Sequence, residues 1–135
     1  MTGVVVVTHG EAGKALLATV EGILGPQQAA AAYALSPGMG LEDLTTPLKA
    51  LVERNGGDGT LILVDLFGGT PCNAGLSLCA DPRVEVVAGV SLPVLIEALT
   101  LRGGLPLPEL AQAVVARGRE SLVAASALFR QRECR

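Results

Sequence analysis

Aromatic residues are nearly missing from this chain: among 135 residues only Tyr33, Phe67 and Phe129 are aromatic, and tryptophan is absent. A core must then be packed from Ala, Val, Leu and Ile, and the stacking platforms that single-stranded nucleic acid uses are lacking. A charge of one sign is lacking too. The net charge is −3, with no block of like charges and no basic stripe, which argues against nucleic acid as a partner. No apolar run is long enough to span a bilayer, because Lys, Arg, Asp or Glu interrupts the longer ones. The N-terminus shows no basic n-region and no cleavage site, so no export signal is expected. Cys72, Cys79 and Cys134 are odd in number and form no CxxC, which suits reduced thiols in a cytosol better than a disulfide framework. Cys72 and Cys79 fall on an expected helix and read as small buried hydrophobes. One histidine and scattered acids give no ligand cluster, so neither a metal nor a cofactor is expected, and no Ser-His-Asp arrangement is evident.

Half of the residues are apolar, and a chain of 135 residues suits one domain, 1–135. A domain of that size buries roughly two thirds of its unfolded surface, enough for a core. Strand and helix patterns alternate along it. Four consecutive valines lie between Gly3 and Thr8, which predicts a fully buried parallel strand over about 3–8. Leu16, Val20, Ile23 and Leu24 form a helical stripe that Gly25-Pro26 stops. Residues 29–35 (AAAAYAL) read as a short strand from the alternation of elements. Leu41, Leu44, Leu48, Leu51 and Val52 make a second helical stripe, ended by Asn55-Gly56-Gly57.

Residues 59–65 (GTLILVD) predict the next buried strand. Gly68-Gly69 then turn the chain, with Thr70 as N-cap and Pro71 at N1 of a helix running to about Ala80. A fourth strand is expected at 84–89. Ser91 caps a helix with Val94, Leu95, Ala98 and Leu99 on its inner face, and Gly103-Gly104 break it. A further helix covers 107–117, and the segment after it favours helix by propensity. The order βαβαβαβαα predicts an α/β, doubly wound, mainly parallel four-stranded sheet; right-handed crossovers leave few topologies, and the flavodoxin-like one has the order 2-1-3-4.

That order sets the chemistry. It puts the first and third strands side by side at the switch point, where open α/β sheets bind ligands. His9, the only histidine, ends the first strand, and Asp65 ends the third. A carboxylate bonded to one ring nitrogen fixes the imidazole tautomer and frees the other nitrogen to attack. The turn at Gly68, Gly69, Thr70 and Pro71 offers backbone N–H groups and a helix start, a cradle for a phosphoryl group, and Thr70 adds a hydroxyl. Gly10, without a side chain, leaves the histidine open to a protein-sized donor. These parts match a phosphohistidine carrier that needs no metal. Each also has an ordinary alternative: His9 as a helix cap, Asp65 in an Asx-turn, and the glycine turn as loop-to-helix chemistry.

These residues resemble a known family. THG after a valine-rich first strand, VDLFGGTPCNA (64–74) after the third, and VAGVSLPVLIEAL (87–99) look like the IIA component of the mannose-type bacterial phosphotransferase system. The resemblance runs from Val4 to the Gly118-Arg119-Glu120 stretch. It implies a cytoplasmic sugar-transport protein in which His9 takes a phosphoryl group from the phosphocarrier HPr. His9 then passes it to a cysteine or histidine of a IIB component; mannose-type IIB proteins use histidine. It further implies that Asp65 orients His9, that Gly10, Gly68, Gly69 and Thr70 hold the phosphoryl group, and that Phe67 helps form the docking surface. Contact with the membrane would be indirect, through the permease complex.

The resemblance also implies a homodimer that exchanges a C-terminal antiparallel edge strand, here about 120–126 (ESLVAAS). That runs against the local alanine-rich helix propensity. With the sequence ending at Arg135, no fused IIB domain is expected and the acceptor is separate. Three other readings remain. A regulatory IIA domain would report phosphorylation state without a permease. A dihydroxyacetone kinase phosphotransfer subunit is disfavoured by Gly10 and the GGTP turn. A flavin-binding module is disfavoured because the turn after the first strand lacks Ser and Thr donors.

Overall fold

The computed structural model describes residues 1–133. Four strands, β1 (Gly3–His9), β2 (Ala30–Leu35), β3 (Thr60–Val64) and β4 (Val84–Ala88), form one sheet in the order β2-β1-β3-β4, and every neighbouring pair is parallel. The expected sheet order is therefore the observed one. Six helices connect and flank the strands: α1 (Ala12–Leu24), α2 (Leu41–Asn55), α3 (Thr70–Leu76), α4 (Leu92–Leu101), α5 (Leu107–Ser121) and α6 (Ala125–Glu133). No helix among the described residues is long and apolar enough to cross a membrane.

The valine run forms a strand because both faces of β1 are covered. Side chains alternate across a strand. Val4 and Val6 join Leu61 and Leu63 in a core shared with α1, α4 and α5. Val5 and Val7 join Ile62 and Val64 in a second core against α2 and α3. All four valines are at most 1% exposed, and each such burial stabilises the fold by about 1.5–3 kcal/mol relative to exposure. With both faces apolar, the central strands read as continuous hydrophobic runs. The alanine-rich β2 forms an edge strand, half-buried throughout.

Several boundaries shift from the sequence expectations. The α1 stripe is buried only in part: Val20 is fully covered and Leu16 partly so, whereas Ile23 and Leu24 in the last turn are exposed. Leu41 likewise opens α2 in solvent, and Leu44, Leu48 and Val52 carry its packing. In α3, Gly69 rather than Thr70 is the N-cap, so Thr70 is the first helical residue. That helix ends at Leu76 instead of near Ala80. As a result Cys72 is buried within it, but Cys79 falls in the following turn and is exposed. Cys134 lies outside the described residues.

Among the described residues, the C-terminal region carries no strand in the single chain. Helix α5 continues through Ser121, Leu122 is extended, and α6 follows from Ala125 without burying any residue. A strand needs an edge to pair with, and an exchanged one needs a second copy.

At the end of the sheet opposite the strand mouths, Arg102 is 5% exposed. Its guanidinium donates to the carbonyls of Thr2, Ala29 and Gln28 at 3.2, 3.1 and 2.7 Å, and to Gln27 Oε1 at 3.3 Å. Burial lowers its pKa. This clasp joins α4 to the segments that enter β1 and β2. It also spans Ala29, the one non-glycine residue with positive φ (50°) among those described.

Candidate functional site

The site lies at the carboxyl ends of β1 and β3, the strands either side of the point where the strand order reverses. His9 is the last residue of β1, and Asp65 follows the last residue of β3. The two register as neighbours because Val7 pairs with Val64 across the ladder. Strand alternation turns Val7 and His9 to the same side, and past the end of the ladder the His9 ring reaches solvent. Its side chain is 47% exposed and that of Asp65 24%.

One carboxylate oxygen holds the histidine twice. Asp65 Oδ2 lies 2.9 Å from His9 Nδ1 and accepts the His9 backbone N–H at 3.0 Å. The other oxygen, Oδ1, accepts the N–H of Leu66 at 3.0 Å, so the carboxylate is itself anchored. Partial burial alone would raise the Asp65 pKa. The hydrogen bonds from His9, backbone and ring, and the attraction of the ring outweigh it and leave the pKa below the ordinary carboxylate value. The carboxylate therefore stays charged at neutral pH, and Nδ1 donates to it as N–H. In the neutral imidazole the lone pair is then on Nε2.

Nε2 faces the glycine turn. A side-chain carbon at Gly69 would sit 3.3 Å from His9 Cε1 and 3.6 Å from Nε2, so the ring lies directly over this residue. Gly69 also has φ 87° and ψ 169°, a conformation essentially reserved for glycine. Gly68 has φ 84°, with nothing within 4 Å of where its Cβ would be. The pair gives a tight turn that brings backbone, without side chains, beneath the imidazole.

Thr70 and Pro71 then start α3, whose first N–H groups have no partner inside the helix. Gly10 takes φ 58° and donates its N–H to Leu35 O at 2.8 Å. A Cβ there would meet nothing within 4 Å, so what this glycine supplies is backbone conformation rather than clearance. Phe67 is 87% exposed and its neighbour Leu66 60%, an apolar patch on the loop between Asp65 and the glycine turn.

The structure thus brings His9 into contact with Asp65 and Gly69, puts Phe67 and Gly68 on the short loop between them, and opens α3 with Thr70 directly after it. Among the described residues, no group of three or more His, Cys, Asp and Glu gathers where a metal ion could be held. Two buried polar residues, one in β1 and one at the end of α4, carry no such signal in the sequence. Thr8 marks the strand boundary there, yet it is fully buried and hydrogen-bonded under the site. Arg102 gave no signal at all, since an arginine at the end of a helix ordinarily faces water.

Fold and site define the class: an open parallel α/β sheet with an exposed histidine, held by a carboxylate, at its switch point. The family model for EIIA-man, the PTS (phosphotransferase system) fructose IIA component, matches residues 3–115. The chain is 38% identical over 127 residues to the PTS system mannose-specific EIIAB component of Escherichia coli K12, covering 92% of this chain and 39% of that protein. It is 36% identical over 126 residues to the PTS system fructose-specific EIIA component of Bacillus subtilis 168, covering 90% of this chain and 84% of the relative. The crystal structure of a phosphotransferase system EIIA component from Streptococcus agalactiae superposes with a TM-score of 0.87 at 28% identity, over 94% of this chain and 99% of that one. The chain belongs to the EIIA-man family, the IIA components of mannose-type sugar phosphotransferase systems. It spans 39% of the length of the mannose-specific EIIAB relatives.

Proposed function

We propose that this chain acts as a IIA-type phosphocarrier domain, residues 1–135, in a sugar phosphotransferase system of the cytoplasm. His9 accepts a phosphoryl group from phospho-HPr and hands it to a IIB component. The observation that carries this reading is the 2.9 Å contact from His9 Nδ1 to Asp65, which leaves Nε2 as the free nucleophile over the glycine turn.

In the first transfer the Nε2 lone pair attacks phosphorus, and the bond from phosphorus to its donor breaks as the new P–N bond forms. The ring becomes cationic, with Nδ1 still protonated, and the Asp65 carboxylate stabilises that charge. The phosphoryl oxygens lie against the backbone of Gly68, Gly69 and Thr70, with the Thr70 hydroxyl as a further donor. Gly10 shapes the other wall. No metal is required, because the backbone amides and the start of α3 supply the positive potential.

In the second transfer the IIB side chain attacks the same phosphorus, and His9 leaves as the neutral imidazole. Phe67 and Leu66, exposed beside the site, provide the apolar contact for both partners in turn. The extended, apolar Leu122 and Val123 are exposed and suit exchange with a second copy, giving a homodimer. The membrane is reached only through the permease complex.

The test is incubation with phosphoenolpyruvate, the first enzyme of the relay and HPr, followed by mapping of the acid-labile phosphate. Label on His9 Nε2, lost in His9→Ala, is the expected result. A His9→Ala protein that still takes the label overturns the reading.

A further inference from the structure

Thr8 precedes the functional histidine, and strand alternation turns its side chain to the face opposite the His9 ring. It is 0% exposed. Its hydroxyl accepts the N–H of Gly13 at 2.7 Å and lies 3.2 Å from Gly10 O, to which it donates. One oxygen therefore ties together both limbs of the turn that follows His9.

Helix α1 needs this bond. Its own N-cap residue, Glu11, makes no side-chain cap, so the Gly13 N–H in the first turn would otherwise be an orphan. The cap comes instead from the strand below. The fit leaves no slack: a Cβ at Gly13 would lie 3.1 Å from both Thr8 Oγ1 and Thr8 Cγ2 and 3.0 Å from Val6 Cγ1. Losing this hydroxyl would strand the buried Gly13 N–H and release the Gly10 carbonyl.

The consequence falls on His9. Asp65 Oδ2 accepts from the His9 backbone and faces its ring nitrogen at 3.0 and 2.9 Å. Both contacts on one oxygen demand one peptide orientation and one ring rotamer. The peptide on the far side of His9 ends at Gly10, whose N–H is fixed to Leu35 O and whose carbonyl is fixed by Thr8.

We infer that Thr8 is a positioning residue for the phosphoryl-transfer histidine: its buried hydroxyl sets the β1–α1 turn so that Asp65 can hold His9 as the Nδ1–H tautomer. This rests on the reading of His9 as the phosphoryl acceptor, and its test is separable from that reading. Thr8→Val keeps the shape and removes the hydroxyl, and Thr8→Ser keeps the hydroxyl. Two quantities are measured at fixed pH on folded protein: the rate of phosphoryl acceptance from phospho-HPr, and the tautomer populations of the His9 ring from its nitrogen NMR shifts.

Thr8→Val is expected to slow acceptance by about 10- to 100-fold, the cost of a misplaced reacting group, and to reduce the Nδ1–H population. Thr8→Ser should restore both. If Thr8→Val fails to fold, Thr8→Cys, similar in size and a weak hydrogen-bonding group, takes its place with the same expectation. A hydroxyl-free variant with the parental tautomer populations overturns the inference, and so does a serine variant that behaves like valine. Should the parent itself take no phosphate on His9, the proposed function fails, while the ring-nitrogen comparison still decides the role of Thr8.

Discussion

His9 and Asp65 are 56 positions apart in the chain, yet the Asp65 carboxylate engages both the backbone N–H and the ring Nδ1 of His9 through a single oxygen. Neither a backbone contact nor a ring contact alone would fix the imidazole. Together they fix the strand end and the ring plane at once, and point Nε2 at the glycine turn. The site's behaviour under mutation and acid follows from this double hold.

Replacing Asp65 by Asn removes the charge but keeps an oxygen of similar reach. Asp65→Asn should lower the rate of phosphoryl acceptance by about 10- to 100-fold without abolishing it, the cost of a misplaced reacting group. Rapid-quench assays with phospho-HPr measure this. Equal rates for variant and parent would remove Asp65 from an orienting role.

The depressed pKa of Asp65 gives a pH signature with a definite sign. The folded value lies below the unfolded one, so the contact's stabilisation is complete above the ordinary carboxylate value. It is lost as pH falls through the folded value. The His9 backbone N–H should thus be held down to pH values below about 4, the unperturbed carboxylate range, and be released only in stronger acid. A pH titration of the His9 amide shift and of unfolding free energy, for parent and Asp65→Asn, checks this. The acid-dependent difference between the two proteins should shrink as pH drops.

Gly69 and Gly68 both have positive φ but different neighbours. Gly69→Ala adds a carbon 3.3 Å from His9 Cε1, whereas Gly68→Ala adds one in open space. Each should cost on the order of 1–3 kcal/mol of stability, because both residues have positive φ. Only Gly69→Ala should also perturb the ring, giving a slower transfer and a shifted His9 ring resonance. Denaturant midpoints and transfer rates, measured on both variants, separate strain from contact.

Phe67 is too exposed to matter to the fold, at 87%. Phe67→Ser should leave the unfolding midpoint unchanged. It should raise the phospho-HPr concentration needed for half-maximal transfer by about tenfold, as expected when an aromatic anchor of an interface is removed. An unaltered concentration dependence would place the docking contact elsewhere.

Arg102 should behave in the opposite way. Arg102→Met takes a donor from the carbonyls of Thr2, Gln28 and Ala29; Ala29 O still accepts the Val4 N–H, and the Thr2 carbonyl loses its bond in a buried place. A loss of about 1–3 kcal/mol in unfolding free energy is expected from that unsatisfied buried acceptor. Transfer by the folded fraction should be unchanged, since the clasp lies at the far end of the sheet. Urea unfolding followed by circular dichroism, beside a transfer assay, tests both halves.

Much of this architecture is legible along the chain because local physics and global fold agree. An uninterrupted valine run can be stable only where both faces are dry, which makes β1 a central strand before any coordinates are seen. Ser91 accepting the N–H of Val94 at 3.3 Å, and the buried quartet Val94, Leu95, Ala98 and Leu99, follow directly from capping chemistry and helical period. The glycine pair marks its own turn, since φ near +85° is tolerated by little else.

Other features are decided by neighbours and leave no local trace. Ile23 and Leu24 continue the apolar stripe of α1, but whether the stripe meets a partner depends on what packs against it. The early end of α3 at Leu76, and with it the exposure of Cys79, depends on the turn that leads into β4. The segment 120–126 has helical propensity, and in the single chain it is helix on both sides of an extended Leu122. A strand there would require a partner edge that one chain does not offer.

Residue order alone determined that β1 is buried, that a histidine caps it and that an aspartate follows β3, because periodicity, glycine placement and capping act over a few residues. Tertiary structure alone decided that one Asp65 oxygen holds both the backbone and the ring of His9, that Gly69 lies under the ring, and that Arg102 makes its buried bonds. Hydrogen bonds across 56 or 100 positions depend on sheet order and helix placement, and the free energy that selects them comes from packing the whole core.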